Sequence, residues 1–105
     1  MDAAIGHLLA AFEREGLLER TVVVAAADHG EGRGRHGEDT HGAFVFDSTL
    51  RIPLLVRLPG GERAGERVTT PVSQVDAAAL LFARLGLGAT EELDGRDPLT
   101  GSEDA

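Results

Sequence analysis

The start of the chain carries apolar residues at the spacing of one helix face. These positions are Ile5, Leu8, Leu9 and Phe12. Asp2 is suited to capping the start of such a helix, and Gly16 is suited to ending it. The pattern predicts an amphipathic helix over residues 2–16.

Two continuous apolar runs follow, and each predicts a strand. Residues 21–27 show no polar alternation, which is typical of a strand covered on both faces, as in a parallel sheet. Residues 52–58 form the second run and predict a second buried strand, in which Pro53 belongs near the strand start or at a sheet edge. A short third strand is expected over residues 67–72, ending near Pro71.

A second amphipathic pattern lies in the C-terminal half of the chain. Its apolar side consists of Val75, Ala79, Leu80, Phe82 and Ala83. Ser73 or Asp76 is suited to capping the start of this segment, and Gly86 is suited to closing its end. The pattern predicts a second helix, with Asp76 as a cap and not as a metal ligand.

The order helix, strand, loop, strand, strand, helix is that of an α/β fold. A first helix without a preceding strand needs a sheet to pack on, and central strands need neighbours on both sides. We therefore expect residues 1–89 to be a portion of a larger α/β domain, with Phe44, Phe46 and Phe82 in its core. Residues 90–105 are acidic and rich in Pro and Gly, which predicts a tail that is docked or disordered.

The composition excludes several classes of function. A formal net charge of -8 and the absence of Trp and Tyr argue against nucleic acid as a partner, because such binding needs clustered cations and stacking platforms. The chain has no Cys, which excludes disulfides and thiolate metal sites. Its apolar stretches are too short for a bilayer-spanning helix, so no membrane segment is expected in this chain. The composition leaves the cellular compartment open.

Asp28, His29 and Gly30 come directly after the first apolar run. The carboxyl ends of strands are where open α/β sheets place their ligand sites. An Asp oxygen beside a His nitrogen can bind a divalent cation there, and Gly30 lets the backbone turn sharply. The alternative is an ordinary polar turn in which His29 is a solvated loop residue.

The loop over residues 30–42 is Gly-rich and concentrates charged side chains. Arg33 and Arg35 in this loop, together with Arg51, have guanidinium groups that can hold an anionic substrate in bidentate fashion. The alternative, which we favour, is that they pair with local acids. Those acids are Glu31, Glu38 and Asp47.

Residues 28–42 and 46–56 together make a longer motif. The first segment begins Asp-His-Gly-Glu and contains two further His-Gly pairs, and the second contains Asp-Ser-Thr-Leu-Arg-Ile-Pro-Leu-Leu-Val. This pattern closely resembles the C-terminal metal-binding segment of the sulfatase family, in the alkaline-phosphatase superfamily. The resemblance extends over nearly the whole chain, and it implies a fragment of an alkaline-phosphatase-like α/β/α sandwich with a few-stranded mixed sheet and helices.

The resemblance implies that Asp28 and His29 are metal ligands. The implied cofactor is a divalent cation, Ca²⁺ first, with Mn²⁺, Mg²⁺ or Zn²⁺ as alternatives. Such a cation would neutralise charge on the ester oxygens and keep the nucleophile ionised. Many sulfatases have Asn at the second position, so His29 places the chain among Asp-His variants that include phosphonate and phosphate-ester hydrolases.

Two further histidines are catalytic candidates by resemblance. Family members often place a His or Lys in this loop, where it contacts the transferred group or protonates the leaving oxygen. The chain has no Lys, so His41 is the first candidate and His36 the second. Imidazoles titrate near neutral pH and can act as acids there. The alternative is that both are solvated loop residues.

The family's catalytic nucleophile is absent from this sequence. Sulfatases attack with a formylglycine made from Cys or Ser in a C/S-x-P-x-R motif, and neither residue begins such a motif here. The N-terminal aspartates that complete the family metal site are missing as well. We therefore expect the chain to be inactive alone.

The function implied is that of a C-terminal piece of a metal-dependent sulfatase-type hydrolase of sulfuric esters. The longer parent would bind a sulfate or phosphate ester, and a companion chain could supply its N-terminal part. Two alternatives stay open. One is a non-catalytic metal-binding or interaction module, and the other is a piece of a related phosphoric or phosphonic ester hydrolase or phosphotransferase.

Overall fold

Three α-helices and two β-strands make up the regular structure of the described part of the chain. A computed structural model describes residues 1–37, 39–42, 44–88 and 93–100. The elements in chain order are α1 (Asp2–Arg14), β1 (Val23–Ala26), α2 (Asp47–Leu50), β2 (Leu54–Arg57) and α3 (Gln74–Leu85), with 3₁₀ turns at Leu18–Arg20 and Pro59–Gly61. The α/β class predicted from the sequence is confirmed.

Helix α1 lies where the apolar spacing predicts it and ends as expected at Gly16. The N–H of Leu17 donates to the carbonyl of Phe12 at 2.8 Å, and the N–H of Gly16 donates to Glu13 at 3.0 Å. Gly16 has a φ of 65°, which completes a Schellman arrangement that a residue with a Cβ would strain. Asp2 is not the cap but lies in the first turn, where its charge favours the helix dipole.

Helix α3 also begins and ends at the predicted residues. The backbone N–H of Ser73 donates to Asp76 Oδ2 at 2.7 Å. This bond is part of a capping box, which provides acceptors for N–H groups at the start of the helix. At the other end, Gly86 is left-handed, and the N–H of Leu87 donates to the carbonyl of Phe82 at 3.0 Å. The prediction that Asp76 is a cap is confirmed.

The two strands pair in an antiparallel sheet, whereas the apolar run at 21–27 suggested parallel neighbours. Beyond the end of β1, the N–H of Gly30 donates to the carbonyl of Thr49, which precedes β2, at 2.8 Å. Before β1, the carbonyl of Leu18 accepts from the Arg57 guanidinium at the end of β2, at 2.6 Å. The connection therefore returns to the edge where β1 ends, without the crossover that a parallel pair requires.

The strands and the aromatic residues are less buried than the sequence predicted. Leu55 of β2 is 66% exposed, Phe44 is 52% exposed and Phe82 is 38% exposed, while Phe46 is half-buried. The apolar pattern shows which faces are suited to burial, but the described residues do not cover those faces. Residues 67–72, all of them described, form no strand, so the third strand predicted there is wrong: the described sheet contains β1 and β2, and residues 67–72 pair with neither.

The chain divides into two compact units. The first unit is Met1–Val23 with Val56–Ala105, and the second is Val24–Leu55. Buried hydrophobic side chains in the described residues belong to the first unit and are Leu58, Ala79 and Leu80. The second unit buries the polar side chain of Thr49. None of the helices in the described ranges has the length and apolar character of a membrane span.

The predicted tail is described over residues 93–100, and the rest of 90–105 lies outside the described residues. The backbone N–H of Arg96 donates to Asp76 Oδ1 at 2.9 Å, so the carboxylate that caps α3 also holds this segment. Asp97 is buried as well, with 9% of its surface exposed. The bond between Arg96 and Asp76 places this part of the segment against the start of α3.

Candidate functional site

Asp28 and His29 follow β1 closely, and their side chains lie on the same side of the turn. His29 Nε2 is 3.7 Å from Asp28 Oδ2, and the backbone N–H of His29 donates to Asp28 Oδ1 at 3.0 Å. Two metal–ligand bonds of about 2.0–2.6 Å can span that separation. The Asp28 side chain is 89% exposed and the His29 side chain is 42% exposed, so a cation from solvent can approach both.

A hydrogen bond fixes the tautomer of the His29 ring. Nδ1 donates to the carbonyl of Gly30 at 2.7 Å, and a carbonyl can only accept, so the neutral ring keeps its lone pair on Nε2. Histidines that bind metals usually hold their other N–H in this way. The Gly30 carbonyl also raises the pKa of His29 above its ordinary value, and the charges of Asp28 and Glu31 act in the same direction.

The structure brings His41 to this pair of residues. Its ring is stacked on that of His29, with centroids 3.8 Å apart and planes inclined by 28°. Its Nδ1 lies 3.3 Å and 3.4 Å from the two carboxylate oxygens of Glu31, which accept the proton that Nδ1 carries. His41 is thus held through Nδ1, and Nε2 is the nitrogen left to meet another group.

His36 has a different neighbour. Its ring stacks on that of Phe46, with ring centroids 4.2 Å apart. The rings of Phe46 and Phe44 are tilted against each other, with centroids 5.6 Å apart. The backbone of His36 has a φ of 55°, which is uncommon for a residue with a side chain. Of the two histidines proposed for catalysis, His41 contacts His29 and His36 is held by an aromatic ring before α2.

Among the described residues, Arg33, Arg35 and Arg51 form no ion pair with Glu31 or Asp47, and their pairing with Glu38 stays a prediction. Glu31 is engaged by His41, and Glu38 lies outside the described residues. Arg33, Arg35 and Arg51 are exposed, so their guanidinium groups are accessible to an anion.

Asp28 and His29 supply two donor atoms that are chemically suited to a metal ion. Among the described residues, no group of three or more His, Cys, Asp or Glu side chains is arranged to hold a metal ion. One carboxylate and one imidazole nitrogen suit Zn²⁺ or Mn²⁺, and they suit Ca²⁺ once further oxygen donors are added. Asp28 and His29 therefore fit a divalent cation, with the remaining ligands coming from elsewhere.

Two contacts of this region were not predicted from the sequence. Glu31 is ten positions from His41 in the chain, a separation at which no local periodicity indicates contact. The carbonyl of Thr49 accepts from the N–H of Gly30 although the two lie in different segments of the motif. The run Asp-His-Gly-Glu contained Glu31, but nothing in the run indicated its partner.

Comparison with known proteins decides the family. The model of the family described as Sulfatase matches residues 1–87. The chain belongs to the sulfatase family. The resemblance based on the motifs at 28–42 and 46–56 is thereby confirmed.

Several proteins that are similar in sequence to this chain are also named as sulfatases. The chain is 37% identical over 103 residues to the protein named "Uncharacterized sulfatase YidJ" of Escherichia coli K12, covering 98% of this chain and 20% of that protein. It is 31% identical to the "Ulvan-active sulfatase" of Formosa agariphila (91% of this chain, 19% of the relative) and 33% identical to the rat "Steryl-sulfatase" (92% and 19%). The chain thus spans about a fifth of the length of these relatives. No solved structure gives a significant match.

Proposed function

We propose that this chain provides the C-terminal part of the active centre of a metal-dependent sulfatase, an enzyme that hydrolyses sulfuric esters. Membership of the sulfatase family supports the reaction class. The observation that carries the proposal is the 3.7 Å separation of His29 Nε2 and Asp28 Oδ2, which allows both atoms to bind one cation.

Asp28 and His29 would hold the cation through Oδ2 and Nε2. A divalent cation bound there would stabilise negative charge on the ester oxygens. We propose Ca²⁺ first, with Mn²⁺, Mg²⁺ and Zn²⁺ as alternatives, because the missing ligands are expected to be carboxylates of an N-terminal part. That part would also supply the nucleophile, either as the preceding segment of a longer chain or as a companion chain.

His41 would be the proton donor to the leaving oxygen. Its Nδ1 is bonded to Glu31, at 3.3 Å from Oε1, which leaves Nε2 to donate when the ring is protonated. The ring stack with His29 keeps the imidazole of His41 next to that proposed ligand. His36, which is stacked on Phe46, is the weaker candidate for the same role.

The proposal can be tested in a chimera. The chain would replace the matching segment of the Ulvan-active sulfatase, which would then supply the nucleophile and the other metal ligands. We expect the chimera to release sulfate from ulvan, and we expect Asp28→Asn to lower that rate by about 100-fold because the substitution removes an anionic ligand. Glu13→Gln, which changes an exposed carboxylate on α1, is the matched control and should leave the rate unchanged.

The same chimera distinguishes the alternatives. Release of phosphate from aryl phosphates, without release of sulfate, would favour a phosphoric ester hydrolase. A folded Asp28→Asn chimera with the full rate would remove Asp28 from the site. The unmodified Ulvan-active sulfatase and a cooperative unfolding transition of each chimera serve as the controls for activity and folding.

A further inference from the structure

The backbone at Gly30 is in direct contact with the turn of α2. Its N–H donates to the carbonyl of Thr49 at 2.8 Å. A Cβ at Gly30 would lie inside contact distance of the carbonyl of Ser48, which is backbone and cannot swing away. The close approach is therefore available to glycine alone.

Thr49 is fixed in turn by its own side chain. It is buried, with 8% of its surface exposed. Its hydroxyl Oγ1 lies 2.9 Å from the carbonyl of Phe46, to which it donates, and 3.2 Å from the carbonyl of Phe44. Helix α2 has four residues, too few to be stable in isolation, so its backbone hydrogen bonds are supported by this hydroxyl and by the contact with Gly30.

The peptide groups of Gly30 connect this turn to the imidazole of His29. On one side the N–H of Gly30 is held by Thr49, and on the other its carbonyl accepts from His29 Nδ1 at 2.7 Å. That second bond sets the ring tautomer and the side on which Nε2 lies, 3.7 Å from Asp28 Oδ2. A shift of Thr49 would be passed to His29 through one glycine.

We propose that Thr49 and Gly30 are positioning residues for the ligand pair Asp28 and His29. They bind no cation and touch no substrate; they hold the His29 ring so that Nε2 faces the same point as the Asp28 carboxylate. This inference rests on the proposed function for its purpose, but the ring geometry it predicts is measurable without a metal.

The test uses the complete chain and two readouts. The first, without metal, is the nuclear Overhauser effect between the ring protons of His29 and His41, together with the ¹⁵N shifts that report the His29 tautomer. The second is the broadening of the His29 ring signals by Mn²⁺ alone, titrated to give an affinity. Both are recorded well above the ordinary pKa of histidine.

The variants are chosen in matched pairs. Thr49→Val removes the hydroxyl at constant shape, and Thr49→Ser retains it. Thr21→Val removes a comparable bond in the other unit, where Thr21 Oγ1 donates to the carbonyl of Leu17 at 2.6 Å. Gly30→Ala introduces the forbidden Cβ, and Gly6→Ala places a Cβ in open space.

In Thr49→Val and in Gly30→Ala we expect the nuclear Overhauser effect between the His29 and His41 rings to be lost. We also expect both tautomers of His29 to be populated and Mn²⁺ binding to weaken roughly tenfold. Thr49→Ser, Thr21→Val and Gly6→Ala should behave as the wild type. If a folded Thr49→Val chain kept the nuclear Overhauser effect and the tautomer shifts of the wild type, the positioning role of Thr49 would be overturned. The same conclusion would follow if Thr21→Val lost these signals to an equal extent. If the wild type does not bind Mn²⁺, Asp28 and His29 do not bind this cation without the further ligands, the chimera remains the test of the proposed function, and the ring measurements still decide the role of Thr49.

Discussion

At the level of single residues, the side chains of His29 and Asp76 each use two polar atoms for two different interactions. The ring of His29 uses Nδ1 to bind the backbone and keeps Nε2 beside Asp28. Asp76 caps α3 through Oδ2 and holds the backbone of Arg96 through Oδ1. In both cases the two polar atoms of one side chain have different neighbours, and for Asp76 the second neighbour is twenty positions away in the chain.

The first prediction concerns the pH dependence of cation binding at His29. A proton on Nε2 excludes a metal, and the bond to the Gly30 carbonyl raises the pKa of His29 above 6.5. Mn²⁺ affinity should therefore increase as the pH rises through a midpoint above 6.5, the value for an unperturbed histidine. Ring NMR signals followed against pH give the pKa of His29, and Mn²⁺ titrations at the same pH values give the affinity. An affinity that does not change across that midpoint would show that Nε2 is not the ligand.

The second prediction concerns Asp76 and acid stability. Two backbone N–H donors, first that of Arg96 and then that of Ser73, lower the pKa of Asp76 below its ordinary 3.8. The stabilisation is therefore complete above pH 3.8 and is lost as the pH falls through the lower pKa of the folded chain. Asp76→Ala should reduce the free energy of unfolding at neutral pH by about 2 kcal/mol, because both N–H groups lose a charged acceptor.

Urea unfolding at neutral and acidic pH measures this effect. The difference between wild type and Asp76→Ala should shrink as the pH falls below the folded pKa. Glu13→Gln alters an exposed carboxylate and should show no such trend. A difference that is constant with pH would mean that the loss comes from packing and not from the ionised carboxylate.

At the level of elements, the segment 93–100 is held to α3 and to the turn after β2 by several bonds. The Arg84 guanidinium donates to Asp97 Oδ2 at 2.6 Å, with the Asp97 side chain only 5% exposed. The Arg63 guanidinium donates to the carbonyl of Leu99 at 2.7 Å. A partly buried, charge-assisted pair of this kind is stronger than a surface ion pair. The segment therefore belongs structurally with α3.

The third prediction tests this attachment at Gly95. A Cβ there would lie inside contact distance of the carbonyl of Val75 in α3, so Gly95→Ala should push the segment away. We expect a loss of about 1–3 kcal/mol in the free energy of unfolding. We also expect faster hydrogen exchange at the amides of Arg96 and Leu99, which bond to Asp76 and Asp97.

Gly6→Ala is the control for Gly95→Ala. Gly6 lies in α1 with open space around its Cβ position, so alanine there should raise the stability by up to about 1 kcal/mol. If the Arg96 amide exchanged its hydrogen equally slowly in Gly95→Ala and in the wild type, the attachment of the segment would not depend on this close approach.

At the level of the whole molecule, the chain exposes many apolar side chains relative to its buried core. The buried hydrophobic residues described are Leu58, Ala79 and Leu80. On α1, Ile5 and Leu8 are half exposed, at 50% and 56%. The chain spans about a fifth of its relatives, and in the proposed function the rest of a sulfatase domain would cover these faces.

The fourth prediction is that the purified chain, with a divalent cation added, does not hydrolyse an aryl sulfate. The reaction requires a covalent nucleophile, and the sequence has neither a Cys nor a Ser in the family's motif. Turnover measured with p-nitrophenyl sulfate should equal that of the Asp28→Ala chain. Turnover above that level, in a preparation free of other sulfatases, would show that another group performs the attack.

The sequence predicted helices and their ends better than it predicted burial or pairing. The ends of α1 and α3 depend on bonds between residues at most five positions apart, such as Leu17 to Phe12, and the glycines that permit them are visible in the sequence. Phe44 and Leu55 were predicted to be buried and are exposed. An apolar side chain marks a face that is suited to burial, but it does not show which part of the protein covers that face.

The sequence by itself determined the family, the places of α1, α3 and the two strands, and the position of Asp28 and His29 after the first strand. The tertiary structure alone decided that the strands are antiparallel, that His41 and not His36 contacts His29, and that Thr49 is bonded to Gly30. The physical reason is distance along the chain. Helix caps and strand runs are settled among near neighbours, whereas contacts across ten or twenty residues depend on the path of a glycine-rich loop that many conformations could satisfy.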